Sequence, residues 1–207
     1  MKKLILLAVI FSVTACSTLP PRLPVAHPQQ HWQQRQLELT KINDWYLNGR
    51  AAIVNGVDSW NLSITWQRHG DKYILDLSGP FGAGHAQLTG TRDGVVLVDA
   101  DQHASFATSP DRLLHETTGV RMPVKGLLYW MRGIPDPELP PPSVKLDEFG
   151  RVQQMQQDGW QIRFKSYTNV QAYELPEKIF IDSADLKVKI FVDNWNIKSR
   201  TFVSESE

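Results

Sequence analysis

Alternation of apolar and polar positions governs most of this chain. Its clearest instance is Trp60, Leu62, Ile64 and Trp66 set against Asn61, Ser63, Thr65 and Gln67, a period of two that places every large side chain on one face of a strand. The turn Asn55-Gly56-Val57-Asp58 precedes this run and His69-Gly70-Asp71-Lys72 follows it, so the segments on either side fold back on it as hairpins. Residues 45–54 form the strand before it, and residues 73–89 hold two more half-buried strands joined by the loop Gly79-Pro80-Phe81-Gly82. Arg92-Asp93-Gly94 then turns the chain into a strand at 95–99, and 103–107 is a further short one.

The pattern changes after residue 108. Ser109 is a good N-cap with Pro110 at the first helical position, which predicts a helix over 109–118 stopped by Gly119. Residues 124–132, VKGLLYWMR, predict a second short helix ending at Gly133, followed by the proline-rich connection PDPELPPPS. Upstream, Trp32, Leu39 and Ile42 recur at near-helical spacing within the polar segment 29–43, an amphipathic helix suited to covering a sheet face. Strands resume at 144–146, 152–156, 160–167, 178–182 and 186–195, with turns at Glu148-Phe149-Gly150 and Gln157-Asp158-Gly159. About eleven short strands in successive hairpins, interrupted by helices, predict a mainly β fold. The sheet is expected to be curved, or an incomplete barrel whose open side the helices fill.

The first fifteen residues do not belong to this domain. Lys2 and Lys3 precede the apolar run 4–13, too short to span a bilayer, as in a secretory signal peptide. Val13-Thr14-Ala15-Cys16 has the form of a bacterial lipobox, and Cys16 is the only cysteine, which excludes a disulfide framework and leaves its thiol for a thioether-linked lipid. The likeness to bacterial lipoproteins implies sorting by the residue after the cysteine, and Ser17 is not the aspartate of inner-membrane retention, so the expected location is the outer membrane. The expected organisation is a signal peptide at 1–15, a lipidated proline-rich tether at 16–28, one β domain at 29–198 and a tail at 199–207. A hydrophobic content of 42% suits one such domain.

Charge and motif searches remove several functions. Basic and acidic side chains balance at 22 each, and without Lys2 and Lys3 the count is 20 against 22, so no concentrated positive field points to nucleic acid. The six histidines are scattered, with only His27 and His31 close together in the tether region, and neither structural nor catalytic zinc is expected. Gly79, Gly82 and Gly84 lack both the dinucleotide fingerprint and the lysine of a phosphate-binding loop. Asp99 and Asp101 read as turn-capping carboxylates, and no serine sits in a nucleophile elbow. No catalytic residue, metal ligand or cofactor is assigned. The loop at 79–82 is the unusual feature, because its glycines and Pro80 place Phe81 at the tip of a tight excursion. Phe81 either projects from the sheet or folds back on it as a lid.

In their order and spacing, these features resemble the LolA/LolB-like lipoprotein localisation family, and within it the outer-membrane lipoprotein receptor LolB. The lipobox and tether come first, then Trp45-Tyr46-Leu47-Asn48-Gly49-Arg50-Ala51 and Gly79-Pro80-Phe81-Gly82. Gly126-Leu127-Leu128-Tyr129-Trp130-Met131-Arg132-Gly133 and Asp193-Asn194-Trp195 complete the likeness. The resemblance implies a half-open antiparallel β-barrel closed by helices around an apolar cavity. It implies a receptor, not an enzyme, that takes lipoproteins from the periplasmic carrier LolA and places their acyl chains in the outer membrane. It also implies a membrane-inserting loop at Gly79, Pro80, Phe81 and Gly82, with Phe81 where the family usually has leucine. The expected form is a monomer on the periplasmic face, lipid-anchored through Cys16, with cargo lipoproteins and outer-membrane phospholipid as partners. Candidate cavity residues are Trp60, Leu62, Ile64, Trp66, Leu75, Leu77, Leu88, Val96, Val98, Leu128, Trp130 and Ile181. The same side chains would also pack a solid core, as in a lipid-anchored scaffold that presents its sheet to another protein.

Overall fold

The computed structural model describes residues 23–80 and 84–197. The signal segment, Cys16, Phe81, Gly82 and the tail at 199–207 lie outside the described residues. Eleven antiparallel strands form one sheet, in the order β6-β5-β4-β3-β2-β1-β11-β10-β9-β8-β7. They run β1 Asp44–Asn55, β2 Asp58–His69, β3 Lys72–Ser78, β4 His85–Gly90, β5 Val95–Val98 and β6 Ala104–Ala107. The second half comprises β7 Ser143–Leu146, β8 Val152–Gln157, β9 Trp160–Val170, β10 Tyr173–Asp182 and β11 Leu186–Ile197. The first and last strands pair at the centre, and β6 and β7 are left as the two edges. The sheet is therefore an open barrel. The chain between those edges carries α2 Pro110–Thr118 and α3 Val124–Trp130, while α1 Pro28–Thr40 precedes β1.

Side-chain alternation decides which face is buried. One register line joins Leu97, Leu88, Leu75, Trp66, Leu47 and Trp195 across β5, β4, β3, β2, β1 and β11. A second joins Ile53, Val188, Ile181, Ile162, Met155 and Val144 from β1 to β7. Nearly all of these are buried, and each large aliphatic side chain removed from water contributes about 1.5–3 kcal/mol. Trp45 packs edge-on against Trp66 and Trp195, with ring centroids 5.6 Å apart in both pairs. Where β1 meets β11 the register shifts at Asn48/Gly49, and a β-carbon on Gly49 would sit 2.2 Å from the Phe191 carbonyl oxygen. Only glycine allows the two backbones this approach.

The helices follow their sequence signals with small changes. Ser109 caps α2 by accepting the Arg112 N–H, and Gly119 ends it in the left-handed conformation at φ 73°. Pro28, expected in the tether, instead opens α1, and the Val25 N–H donates to the Glu148 carbonyl at 3.0 Å. The end of the tether is thus docked on the β7–β8 turn. The β9–β10 hairpin is longer than the expected segments at 160–167 and 178–182, because Pro176 sits at a register irregularity that lets the ladder continue to Tyr173. α3 ends at Trp130, two residues short of the expected limit.

Candidate functional site

The concave face of the sheet gathers ten of the twelve candidate cavity residues. Trp60, Leu62, Ile64 and Trp66 pair with Ile53, Ala51, Gly49 and Leu47 of β1, and Leu75, Leu77 and Leu88 continue the same face. Ile181 lies on that face through Val188, while Leu128 and Trp130 come from α3 and pack against the core. Val96 and Val98 do not belong there. Leu97 pairs with buried Leu88, so its neighbours Val96 and Val98 point to the opposite face with Thr89 and Gln87. The short run VVLV offers no polar position to fix which residues face inward, and only the register settles it.

Burial is uneven along this face. Ile64, Trp66, Leu75 and Leu88 are buried, whereas Leu62, Leu77 and Ala86 are only partly covered and Trp60 is 38% exposed. These four residues sit toward the β1–β2 turn and the base of the 79–84 loop, giving the concave face an apolar rim there. Gly79 is half-buried and Pro80 exposed at the start of that loop.

Opposite this rim the face is closed by α1, α3 and two buried polar side chains that the periodicity did not reveal. Gln157, 2% exposed, accepts hydrogen bonds from Trp130 Nε1 at 2.9 Å and from the Asp136 N–H at 3.1 Å. It donates through Nε2 to the carbonyls of Asp136 at 2.8 Å and Pro140 at 3.1 Å. One amide thereby joins α3 and the connection after it to β8. The sequence pattern places Gln157 in a turn among other glutamines, with nothing to separate it from exposed Gln154 and Gln156. Arg132, 1% exposed, donates from Nη1 to the Leu39 and Ile42 carbonyls at 3.0 and 2.8 Å, and from Nε to the Leu128 carbonyl at 3.2 Å. Its guanidinium lies 5.1 Å from the Tyr129 ring centre. Burial, with the nearby positive charge of Arg68, lowers its pKa to about 10. A charge closing the largely apolar run VKGLLYWMR, which also holds Lys125, was its only sequence signal.

Three further donors cluster where β1 and β2 meet the closed end. The indole N–H groups of Trp45 and Trp66 and Nη1 of Arg68 are buried without an acceptor, and Trp45 and Arg68 are direct cross-strand neighbours. Beside them Tyr73 is buried, which raises its hydroxyl pKa well above the ordinary value, reinforced by the negative charge of Asp111. Asp99 behaves as the turn residue expected from sequence, its Oδ1 accepting the Asp101 and His103 N–H groups at 2.9 Å each. Those backbone bonds lower its pKa. Nothing in this arrangement places a nucleophile beside a base; its chemistry is that of an apolar surface with a few buried donors.

Residues 43–195 match the family model described as outer membrane lipoprotein LolB. The chain is 38% identical over 183 residues to the outer-membrane lipoprotein LolB of Nitrosococcus oceani, a match covering 88% of this chain and 91% of that protein. It is 39% identical over 159 residues to the protein of that name from Pseudomonas putida strain F1, covering 77% of each. Among solved structures, a Vibrio parahaemolyticus domain described as an outer membrane lipoprotein-sorting protein aligns with a TM-score of 0.56 at 10% identity, covering 86% of this chain and 94% of that one. A LolA superfamily protein of Nitrosomonas europaea aligns at 0.50 and 7% identity, covering 83% and 94%. At such identities these two structures speak to the fold alone, and both share the open barrel. With a family model spanning most of its length and relatives of that family at more than a third identity, the chain belongs to the outer membrane lipoprotein LolB family.

Proposed function

We propose that this chain is an outer-membrane receptor, anchored through a lipid on Cys16, that accepts lipoproteins from the carrier LolA. Their acyl chains bind along the concave sheet face and pass into the outer membrane. The observation that carries this reading is the half-covered apolar rim of Trp60, Leu62, Leu77 and Ala86 beside the 79–84 loop, in a fold of this family. Exposed apolar surface continuous with a buried apolar face suits a hydrocarbon ligand better than a partner protein's polar surface.

Physical cost dictates the route. Three acyl chains of about sixteen carbons, at about 0.8 kcal/mol per methylene, cost tens of kcal/mol to expose to water. Release into solvent is too slow to serve, so cargo passes directly from one apolar surface to the next. No nucleotide motif is present in the sequence, and direction then follows from rising affinity along the route rather than from ATP. In this scheme Phe81 enters the bilayer and opens the way out. Phe81→Glu is expected to leave cargo acceptance near normal and to impair delivery, measured separately as transfer from carrier to receptor and from receptor to liposomes. Loss of both steps together would contradict the assigned role. A fluorescent fatty acid separates this reading from a solid scaffold, because a binding face saturates at about one cargo per chain.

A further inference from the structure

The convex face of the second half of the sheet carries a compact basic and aromatic patch. Phe180 on β10 lies between Lys189 of β11 and Arg163 of β9, and on the next register line Phe191 lies between Arg50 and Lys178. The two rings meet edge-on with centroids 6.2 Å apart. Around Phe180 stand the Arg163 guanidinium at 5.9 Å, the Lys165 ammonium at 5.8 Å and the Lys189 ammonium at 5.6 Å. Arg163 is paired with Asp182, and Arg50 with Asp193 at 3.0 Å. Lys165, Lys178, Lys187 and Lys189 are exposed and make no ion pair with any described residue. By contrast, the convex positions Ser63, Thr65, Gln67, Gln87 and Thr89 in the other half are neutral, Asp76 between Thr65 and Gln87 is acidic, and Lys72 stands at the start of β3. In a chain of zero net charge this is a segregation of positive charge, not general basicity.

We infer that this face docks on an anionic phospholipid surface, with the four lysines on headgroup phosphates and the two phenylalanine rings beneath their stems. The inference rests on the anchored receptor reading for part of its geometry. One hydrogen-bonded line, Ser78, Ser63, Arg50, Phe191, Lys178 and Ser166, crosses the sheet from the base of the 79–84 loop toward the β7–β8 turn. The tether joins the fold at that turn, through Val25 and Glu148. At about 4.8 Å per strand the loop and the tether attach about 30 Å apart, and the lysines lie between them. The seven residues from Cys16 to Leu23 span at most about 25 Å, which keeps this face within reach of the bilayer. Pro80 and Phe191 border a common surface hollow of about 320 Å³ with Arg50 and Ala52, so the loop leaves the sheet at the margin of the same patch. Long basic side chains over aromatic rings suit the headgroup region, where the charge stays hydrated and the stems lie in the interface.

The test uses the mature chain from residue 16 on, without the signal segment 1–15 and carrying Cys16→Ala, so that binding depends on neither the lipid nor the signal's apolar run. Vesicles of phosphatidylcholine alone are compared with vesicles holding about one third phosphatidylglycerol by co-sedimentation, at low and high salt. Binding is expected only with phosphatidylglycerol, is lost at high salt, and falls about 25-fold in Lys187→Gln/Lys189→Gln, at about fivefold per lysine. Equal binding to both vesicles, or no loss in the double variant, overturns the proposal. Equally tight, equally lysine-dependent binding to soluble poly-glutamate also overturns it, in favour of an acidic protein. Flotation of the chain with Cys16 intact on phosphatidylcholine vesicles reports the anchor separately, so failure of that reading is told apart from failure of this one.

Discussion

Replacing Gln157 by leucine tests how the cover of the concave face is held. The side chain makes four hydrogen bonds, two accepted and two donated, three of them to the buried residues Trp130 and Asp136 and the fourth to the carbonyl of exposed Pro140. At a net value near 1 kcal/mol each, their removal costs about 4 kcal/mol, and stranding the Trp130 indole N–H and the Asp136 amide adds to this. The added apolar burial of leucine offsets about 1 kcal/mol, leaving a loss of about 3–4 kcal/mol. For a domain of this size that lowers Tm by about 8–12 °C. Urea unfolding followed by tryptophan fluorescence gives the stability, and the Trp130 Nε1 proton resonance reports the local break. A companion Gln157→Glu keeps both acceptor bonds but loses both donations and buries a charge, so it is expected to be at least as unstable at neutral pH. A loss under about 1 kcal/mol with an unchanged denaturant slope would refute the idea that this one amide fastens α3 and its connection to β8.

Gly49→Ala sets a β-carbon against the Phe191 carbonyl, and because backbone must move, a loss of about 3 kcal/mol or more is expected by thermal unfolding, with no rescue by Ser. Asp136 is buried, which raises its carboxyl pKa against the opposing hydrogen bond from the Glu138 N–H, with the Glu138 charge adding to the rise. Its folded form therefore binds a proton more readily than its unfolded form, and its contribution to stability falls as pH rises from about 4 through the raised value. Asp136→Asn keeps an acceptor for the Glu138 N–H and should give a flatter stability profile over that window, with no loss at pH 7; a wild-type profile would show that another group sets the slope. Cys16→Ala should bind a fluorescent fatty acid as the unaltered chain does while no longer floating with neutral vesicles, and loss of fatty-acid binding would show that the anchor does more than localise.

The strands were legible because most of them face the core on one side only. Trp60 to Gln67 alternates cleanly since one face meets the core and the other meets water, and the hairpin turns carry glycine where the backbone demands it. The helix at Ser109 was legible from its cap, a local interaction. Val96 and Val98 were misassigned because an all-apolar run carries no phase, and phase is then set by Leu88 across the ladder. Pro176 hid the first half of β10, since it usually ends a strand unless an irregularity accommodates it. Arg132 and Gln157 were invisible for a different reason. Their partners are backbone groups up to 93 residues away and the Trp130 indole, and no local pattern encodes contacts of that kind.

Those two residues show how the sheet and its cover divide the work. The sheet is held by eleven strands of continuous ladder and a tryptophan cluster, and its rigidity survives whatever lies on its concave face. α3 is seven residues long, too short to be stable alone, and single polar contacts fasten it at both ends: at its start the Val124 N–H donates to Asp111 Oδ1 at 2.8 Å. Trp130 is held to Gln157, and Arg132 reaches back to the end of α1. Arg132 has no carboxylate in its hydrogen-bond set, so its charge is stabilised only by carbonyl dipoles and the Tyr129 ring. A short helix held by so few polar contacts can shift against the sheet without breaking the ladder. Leu128 of α3 is half-covered, so hydrocarbon that reaches this helix from the rim would replace helix contacts with contacts of the same kind. Exchange of like for like costs little free energy, and that is what the proposed receptor role, accepting and releasing in turn, requires.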